Sequence, residues 1–127
     1  MPPPDDQRDL LRTSADLLVL SVLADGPRYG YAIIKQVAAR SEGRIRLTAG
    51  VLYPLLHQLE KEKLLVSSWE TIRDRTSAEP TRGRRRKWYR LTPKGRRRLD
   101  QRATAHRAYQ AIIDAFLPAA GAEGAAP

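Results

Sequence analysis

The stretch from Thr48 to Glu62, Thr-Ala-Gly-Val-Leu-Tyr-Pro-Leu-Leu-His-Gln-Leu-Glu-Lys-Glu, constrains this chain more than any other. Thr48 offers a hydroxyl to the free amides of a first helical turn. Leu52, Leu55, Leu56 and Leu59 then recur at helical spacing as one apolar stripe. At about 100° per residue, the opposite face carries Gly50, Tyr53, Pro54, His57 and Lys61. Such a helix must bury its leucines against the rest of the chain while it displays a phenol, an imidazole and an ammonium. An ordinary amphipathic surface helix has the same stripe, so the neighbours decide what this one is for.

The most informative neighbour is a charge cluster. The formal net charge is +9 over 127 residues. Between Thr81 and Leu99 stand Arg82, Arg84, Arg85, Arg86, Lys87, Arg90, Lys94, Arg96, Arg97 and Arg98, with no acid among them. Without these the remainder of the chain is close to neutral, so the basicity is a local patch. Such a patch points to a polyanion. An anionic membrane surface competes for that role, but the patch lacks the flanking apolar face that an interfacial helix needs. The chain has no cysteine, which excludes disulfides, thiolate metal sites and cysteine nucleophiles. Met1-Pro2-Pro3-Pro4-Asp5-Asp6 has neither the basic nor the apolar run of a signal peptide. The apolar run Leu17–Ala24 is interrupted by Ser21 and is too short to span a bilayer. A cytoplasmic, nucleoid-associated protein without a membrane partner is the expectation.

In chain order, residues 1–9 are expected to form a flexible tip. Thr13 and Asp16 read as a variant capping box opening a helix through Leu17, Leu18, Leu20, Val22 and Leu23. Its apolar residues cover more than one face, which predicts burial on several sides. Asp25-Gly26-Pro27 ends it. A second helix follows Tyr29-Gly30-Tyr31, turns Ile33, Ile34 and Val37 inward, and closes near Ser41-Glu42-Gly43. Arg44-Ile45-Arg46-Leu47 alternates, as a short strand or an extended link would. After the central helix, Leu64–Glu70 and Lys87–Leu91 have strand character. The polar run Thr71–Arg86, with Pro80 and Gly83, reads as the oversized tip of their hairpin, a wing. Thr92-Pro93 supplies a cap and a first-position proline for the last helix. On that helix Leu99, Ala103, His106, Tyr109, Ile113, Phe116 and Leu117 recur at steps of three and four. Nothing earlier in the chain is left over to cover this stripe fully, so a second copy of the chain is the simplest cover, with Leu10 and Leu11 as further contacts. Residues 118–127 carry no pattern and are expected to be disordered.

Helix, helix, short strand, helix, hairpin, helix is the order of a winged helix-turn-helix, mainly α with a small β-hairpin. The expected layout is a DNA-binding domain over 10–92 and a dimerisation helix over 93–117. Within it, Tyr29-Gly30-Tyr31, Gly50-Val51-Leu52-Tyr53-Pro54, Leu59-Glu60-Lys61-Glu62 and Tyr89-Arg90-Leu91-Thr92-Pro93-Lys94-Gly95 resemble the signature blocks of the PadR family of bacterial transcriptional regulators, in the family's order. The single C-terminal helix is similar to the compact branch of that family. The resemblance implies a homodimeric repressor with a palindromic operator, released by a small molecule. It places Thr48, Gly50, Tyr53 and Pro54 where the reading helix meets DNA, Tyr29 and Tyr31 near the DNA backbone, and Arg84, Arg85, Arg86 and Lys87 in the wing. The chain departs from the family's pattern at Val51, at His57-Gln58, and at Lys63, which occupies the place of a common helix-ending glycine.

Tyr53, His57 and Lys61 share one stripe. Tyr53 can donate to a phosphate or pack on a thymine methyl, and His57 and Gln58 can reach base edges or phosphates. The alternatives are a Tyr53 half-buried against the wing and a merely solvated His57. Gly50 would let the helix start approach a sugar-phosphate backbone closely. The wing arginines form either a solvated charge run or a grip on the DNA backbone. Trp69 and Trp88 read as hairpin packing rather than as a platform for a flat ligand. His106 reads as an interface residue, because no second histidine or cysteine completes a metal site. No nucleophile, base or carboxylate pair assembles, so no catalysis and no cofactor is expected. Double-stranded DNA, a second copy of the chain and a small effector at the dimer interface are the expected partners. A winged-helix module that holds an acidic protein, or a sequence-indifferent nucleic-acid coater, would share the same pattern.

Overall fold

The computed structural model describes residues 4–72 and 84–119, with side chains over 14–71 and 85–119. The elements are α1 (Pro4–Ala24), β1 (Arg28–Tyr29), α2 (Gly30–Arg40), α3 (Ala49–Lys61), β2 (Leu65–Ile72), β3 (Arg84–Leu91) and α4 (Pro93–Asp114). Three helices pack around one core, an antiparallel sheet of order β1-β3-β2 closes one side, and α4 lies along α1. This is the winged helix-turn-helix expected from the order of elements.

The core takes residues from every element except the two-residue β1. Val19, Leu20, Val22 and Leu23 of α1 are sealed on several faces, and Ile33 and Val37 of α2 and Leu52, Leu56 and Leu59 of α3 meet them. Leu47, Leu64, Leu65, Tyr89 and Leu99 close the cluster, with Leu55 and Leu91 packed on its edge. The leucine stripe of α3 therefore does the work its spacing predicts, anchoring one face so that the other stays outside.

The caps of α3 are local chemistry. Thr48 Oγ1 accepts from the Val51 amide at 3.3 Å. At the far end Lys63 takes a left-handed φ of 63°. The Leu64 amide then reaches the Leu59 carbonyl at 2.9 Å and the Lys63 amide reaches that of Glu60 at 2.9 Å. This paired closure normally has glycine at the left-handed position. A lysine there costs about 1 kcal/mol. α4 begins on Thr92, whose hydroxyl accepts from the Gly95 amide at 2.9 Å and lies 2.7 Å from the Lys63 carbonyl, to which it can donate. The Lys94 ammonium donates to the Glu62 carbonyl at 3.1 Å. The end of α3 and the start of α4 are thus tied to each other directly.

Several boundaries differ from those read in the sequence. α1 starts at Pro4, so Thr13 is interior and residues 4–9 belong to the helix rather than to a tip. Asp16, instead of capping, pairs with Arg102 of α4. Residues 44–47 form an extended link and not a strand; the short strand is β1, before α2, which makes the sheet three-stranded. β2 and β3 both run further into the polar segment than expected, with Glu70 opposite Arg86 and Thr71 opposite Arg85. Opposite charges across the ladder allow that extension. Leu99 is buried in the subunit's own core and does not belong to an exposed stripe. The expectation of a disordered 118–127 falls, beyond Ala119, outside the described residues.

Candidate nucleic-acid interface

The outer face of α3 is open. Gly50, Pro54, His57, Gln58 and Lys61 are exposed, and Tyr53 is 46% exposed. Pro54 sits inside the helix and has no amide to give the Gly50 carbonyl one turn back. A methyl on Gly50 would meet nothing nearer than Thr48 Oγ1 at 3.9 Å, so the first turn presents bare backbone outward. Gln58 lies 3.5 Å from the Glu62 carboxylate. The Tyr53 phenol rests on Gly30 at the start of α2, where a side chain would meet the ring. The glycine between the two tyrosines of Tyr29-Gly30-Tyr31 is the seat for the tyrosine of α3.

The wing adjoins this face. Strand register puts Ser67, Trp69, Lys87 and Tyr89 on the side facing α3. The Ser67 hydroxyl donates to the Glu60 carboxylate, and Lys87 Nζ lies 3.8 Å from the same group. Glu60, on the half-buried side of α3, thereby links α3 and the wing. Burial pushes the Tyr89 phenol above its ordinary value, and Glu60 and Tyr53 add to the shift. Trp69 is 58% exposed, with the Arg85 guanidinium 5.1 Å and the Lys87 ammonium 5.7 Å from its ring centre. Arg86 lies 4.6 Å over the ring of Tyr29, which meets Trp88 edge-on at 5.3 Å. The Trp88 indole also donates to Glu70, so Trp88 is a packing aromatic. Tyr31 is exposed on the first turn of α2 with the Lys35 ammonium 5.2 Å from its ring.

A hollow of about 430 Å³ lies where α3, β1 and the wing converge. It gathers Tyr29, Tyr53, Arg85, Arg86 and Lys87 from the residues singled out by sequence, and adds Trp69 and Tyr89. Thr48, Gly50, Pro54, His57, Gln58 and Lys61 continue the surface along α3; Tyr31 stands apart on α2. The side chain of Arg84 lies outside the described residues. Sequence reasoning passed over Arg44 and Arg46, which are exposed on the link just before the Thr48 cap. Their place immediately upstream of that cap was the available signal. Glu60 was passed over too, since its role depends on a strand seven residues away.

Among the described residues, no helix is long and apolar enough to cross a membrane, and no group of three His, Asp or Glu could hold a metal. Residues 19–101 match the PadR-like family of transcriptional regulators. The chain belongs to that family. It is 34% identical over 98 residues to a transcriptional regulator of Mycobacterium tuberculosis, covering 76% of this chain and 80% of that one. Among solved structures, it resembles a transcriptional regulator from Clostridium thermocellum with a TM-score of 0.72 and 26% identity, over 87% of this chain and 99% of that one. A PadR family transcription regulator from Clostridium difficile gives 0.65 and 30%, over 83% and 99%. The PadR-like chain is a transcriptional regulator of the family, as are the three relatives just described.

On α4 of this PadR-like chain Tyr109 and Ile112 are exposed; the helix ends at Asp114 rather than at 117, and Phe116 (81% exposed) and Leu117 lie exposed in the turn just past it. Ala103 and Ile113 are half-buried and His106 is exposed. Ile112 extends the apolar row anticipated from Tyr109, Phe116 and Leu117. The side chains of Leu10 and Leu11 lie outside the described residues.

Proposed function

We propose that this PadR-like regulator is a dimeric repressor that binds a palindromic operator, with α3 of each subunit in a major groove and each wing on the flanking backbone. The observation that carries the reading is continuity. The exposed polar face of α3 runs without interruption into a wing whose cations and aromatic rings border the same hollow. Tyr53, His57, Gln58 and Lys61 face the base edges, while Thr48, Gly50, Pro54, Tyr29, Tyr31 and the wing cations Arg84, Arg85, Arg86 and Lys87 face the backbone. The apolar row on α4 supports pairing of two subunits, since large contiguous apolar exposure marks an interaction surface. Two-fold symmetry then requires half-sites about one helical turn apart. Release by a small molecule is proposed from family membership alone. Such an effector would sit at the dimer interface and change how the α4 helices cross, hence the spacing of the reading helices.

Selection of bound sequences from a random DNA pool, followed by titration against random competitor, tests the reading. The expected result is an inverted repeat bound roughly a thousandfold or more tighter than random duplex. A ratio near one would make the protein a sequence-indifferent coater, and no binding at low salt would favour an acidic protein partner. Tyr53→Ala should weaken the selected complex more than the random one, and equal loss would restrict Tyr53 to phosphate contact.

A further inference from the structure

The cross-strand cluster of Trp69 with Arg85 and Lys87 is unexplained by packing, because its indole stays open on the side of the sheet that faces the reading helix. Lys87 stands directly opposite Trp69 across the ladder and Arg85 is its diagonal neighbour. Two like charges two residues apart on one strand repel, and the electron-rich ring between them offsets that repulsion by attracting both. The cations thereby lose conformational freedom before any partner arrives, while Arg85 keeps its charge uncompensated by a carboxylate among the described residues. Lys87 is steadied from the other side by Glu60 at 3.8 Å. Tyr53, resting on Gly30, forms the opposite wall.

We propose that this hollow is a cradle for one sugar-phosphate unit of double-stranded DNA, in which Trp69 receives the deoxyribose and holds Arg85 and Lys87 toward the phosphate. The assignment rests on the DNA-binding reading above and adds to it a residue and a chemistry. A phosphodiester unit is anionic on one side and apolar on the other, and the hollow is built the same way, with ring carbons along one wall and cations along the next. An acidic peptide would use the cations and leave the indole unmatched. Trp69 contacts backbone in this arrangement, so it contributes affinity without reading sequence. Its second role, as a positioning residue, works through Arg85 and Lys87.

Two measurements test the cradle on the intact chain. In a Trp88→Phe background Trp69 is the only tryptophan. Titration with a random-sequence duplex should then change its emission and protect it from acrylamide. Separately, Trp69→Ala should weaken binding of random and selected duplex by the same factor, roughly tenfold, and flatten the salt slope by about 1 unit, the share of one phosphate. Trp69→Phe should keep most of both, because it retains an aromatic face. Trp69 is exposed, so Trp69→Ala should fold with a melting point close to that of the unaltered chain; if it does not, the Phe variant and the emission measurement still decide. Unchanged emission and quenching on a bound duplex, or an unchanged slope in a folded Trp69→Ala, would overturn the cradle while leaving DNA binding intact. Failure of the unaltered protein to bind any duplex would overturn both.

Discussion

Gly95, on the first turn of α4, is the position at which the smallest possible substitution should do the most damage. A methyl there would be driven into the Leu64 carbonyl oxygen, while also lying 2.8 Å from Leu91 Cδ1 and 3.0 Å from the Leu64 carbonyl carbon. The leucine can rotate away. The carbonyl cannot, because it accepts from the Thr92 amide at 3.0 Å and faces the Thr92 hydroxyl at 3.1 Å. Helix α4 must therefore retreat, which stretches those contacts and the Thr92–Gly95 cap. Overpacking costs about 1 to 3 kcal/mol, the cap about 1 kcal/mol, and the strained carbonyl bonds about 1 to 2 kcal/mol together. Against this, alanine gains about 1 kcal/mol of helix propensity over glycine. The net loss is about 2 to 5 kcal/mol, and for an ordered region of about 100 residues it should lower the melting temperature by about 8 °C at the least. Urea and thermal unfolding followed by circular dichroism, at matched subunit concentration, measure it. Gly50→Ala is the paired control, because its methyl enters open space and should leave stability unchanged or raise it by up to about 1 kcal/mol. A Gly95→Ala protein that melts with the unaltered chain, or above it, would show that the packing of α4 on Leu64 is not tight and that the reasoning fails.

Three further outcomes follow from particular contacts. Lys63→Gly relieves a left-handed residue and should stabilise the fold by about 0.5 to 1 kcal/mol in urea unfolding; a loss would mean that the lysine side chain contributes elsewhere. The Tyr89 phenol is harder to ionise in the fold than in the unfolded chain. Above about pH 10 the unfolded state therefore holds fewer protons, and stability falls as pH rises past that value until the folded phenol ionises too. Tyr89→Phe should flatten that alkaline fall in the urea midpoint, and an unaltered slope would refute the link. Phe116→Glu, placing a charge on the most exposed large apolar residue among those described, just past the end of α4, should shift sedimentation from dimer to monomer and weaken operator binding. A dimer that persists unchanged would move the interface elsewhere.

What the sequence disclosed was whatever short-range chemistry specifies. The Thr48 and Thr92 caps, the leucine stripe of α3, the first-position Pro93 and the left-handed Lys63 each involve residues within one helical turn, and each stands where its spacing puts it. Pro4 followed by Asp5 and Asp6 is equally a helix-start pattern, with proline first and acids in the opening turn. The proline run before it and the capping signal of Thr13 point instead to a later start, which the structure does not take. The losses are otherwise non-local. β1 has two residues and exists because Arg28 and Tyr29 pair with Tyr89 and Trp88, 61 and 59 positions further on. The arginines of β3 lack strand character alone and gain it from the partner strand. Asp16 looks like a cap until Arg102 arrives from 86 residues away. Leu99 has the period of an interface stripe, and only the packing of α4 on α1 reveals that its own core takes it.

The same distinction bears on the site. Most of the residues proposed to touch DNA sit on one helix face and one charge run, which a sequence displays, yet their mutual placement is set by contacts that read as unremarkable in sequence. Gly30 seats Tyr53, Glu60 joins α3 to Ser67 and Lys87, and Thr92 ties the end of α3 to α4. These three ties hold α3 against α2 in its first half and against the wing and α4 at its end. With the helix held at three points, a change in how two α4 helices cross would be transmitted to α3 as a rigid displacement rather than absorbed by a hinge. An effector acting at α4 would then need no contact with the DNA-facing residues, because displacing both reading helices by a fraction of a groove width spoils the match to both half-sites together.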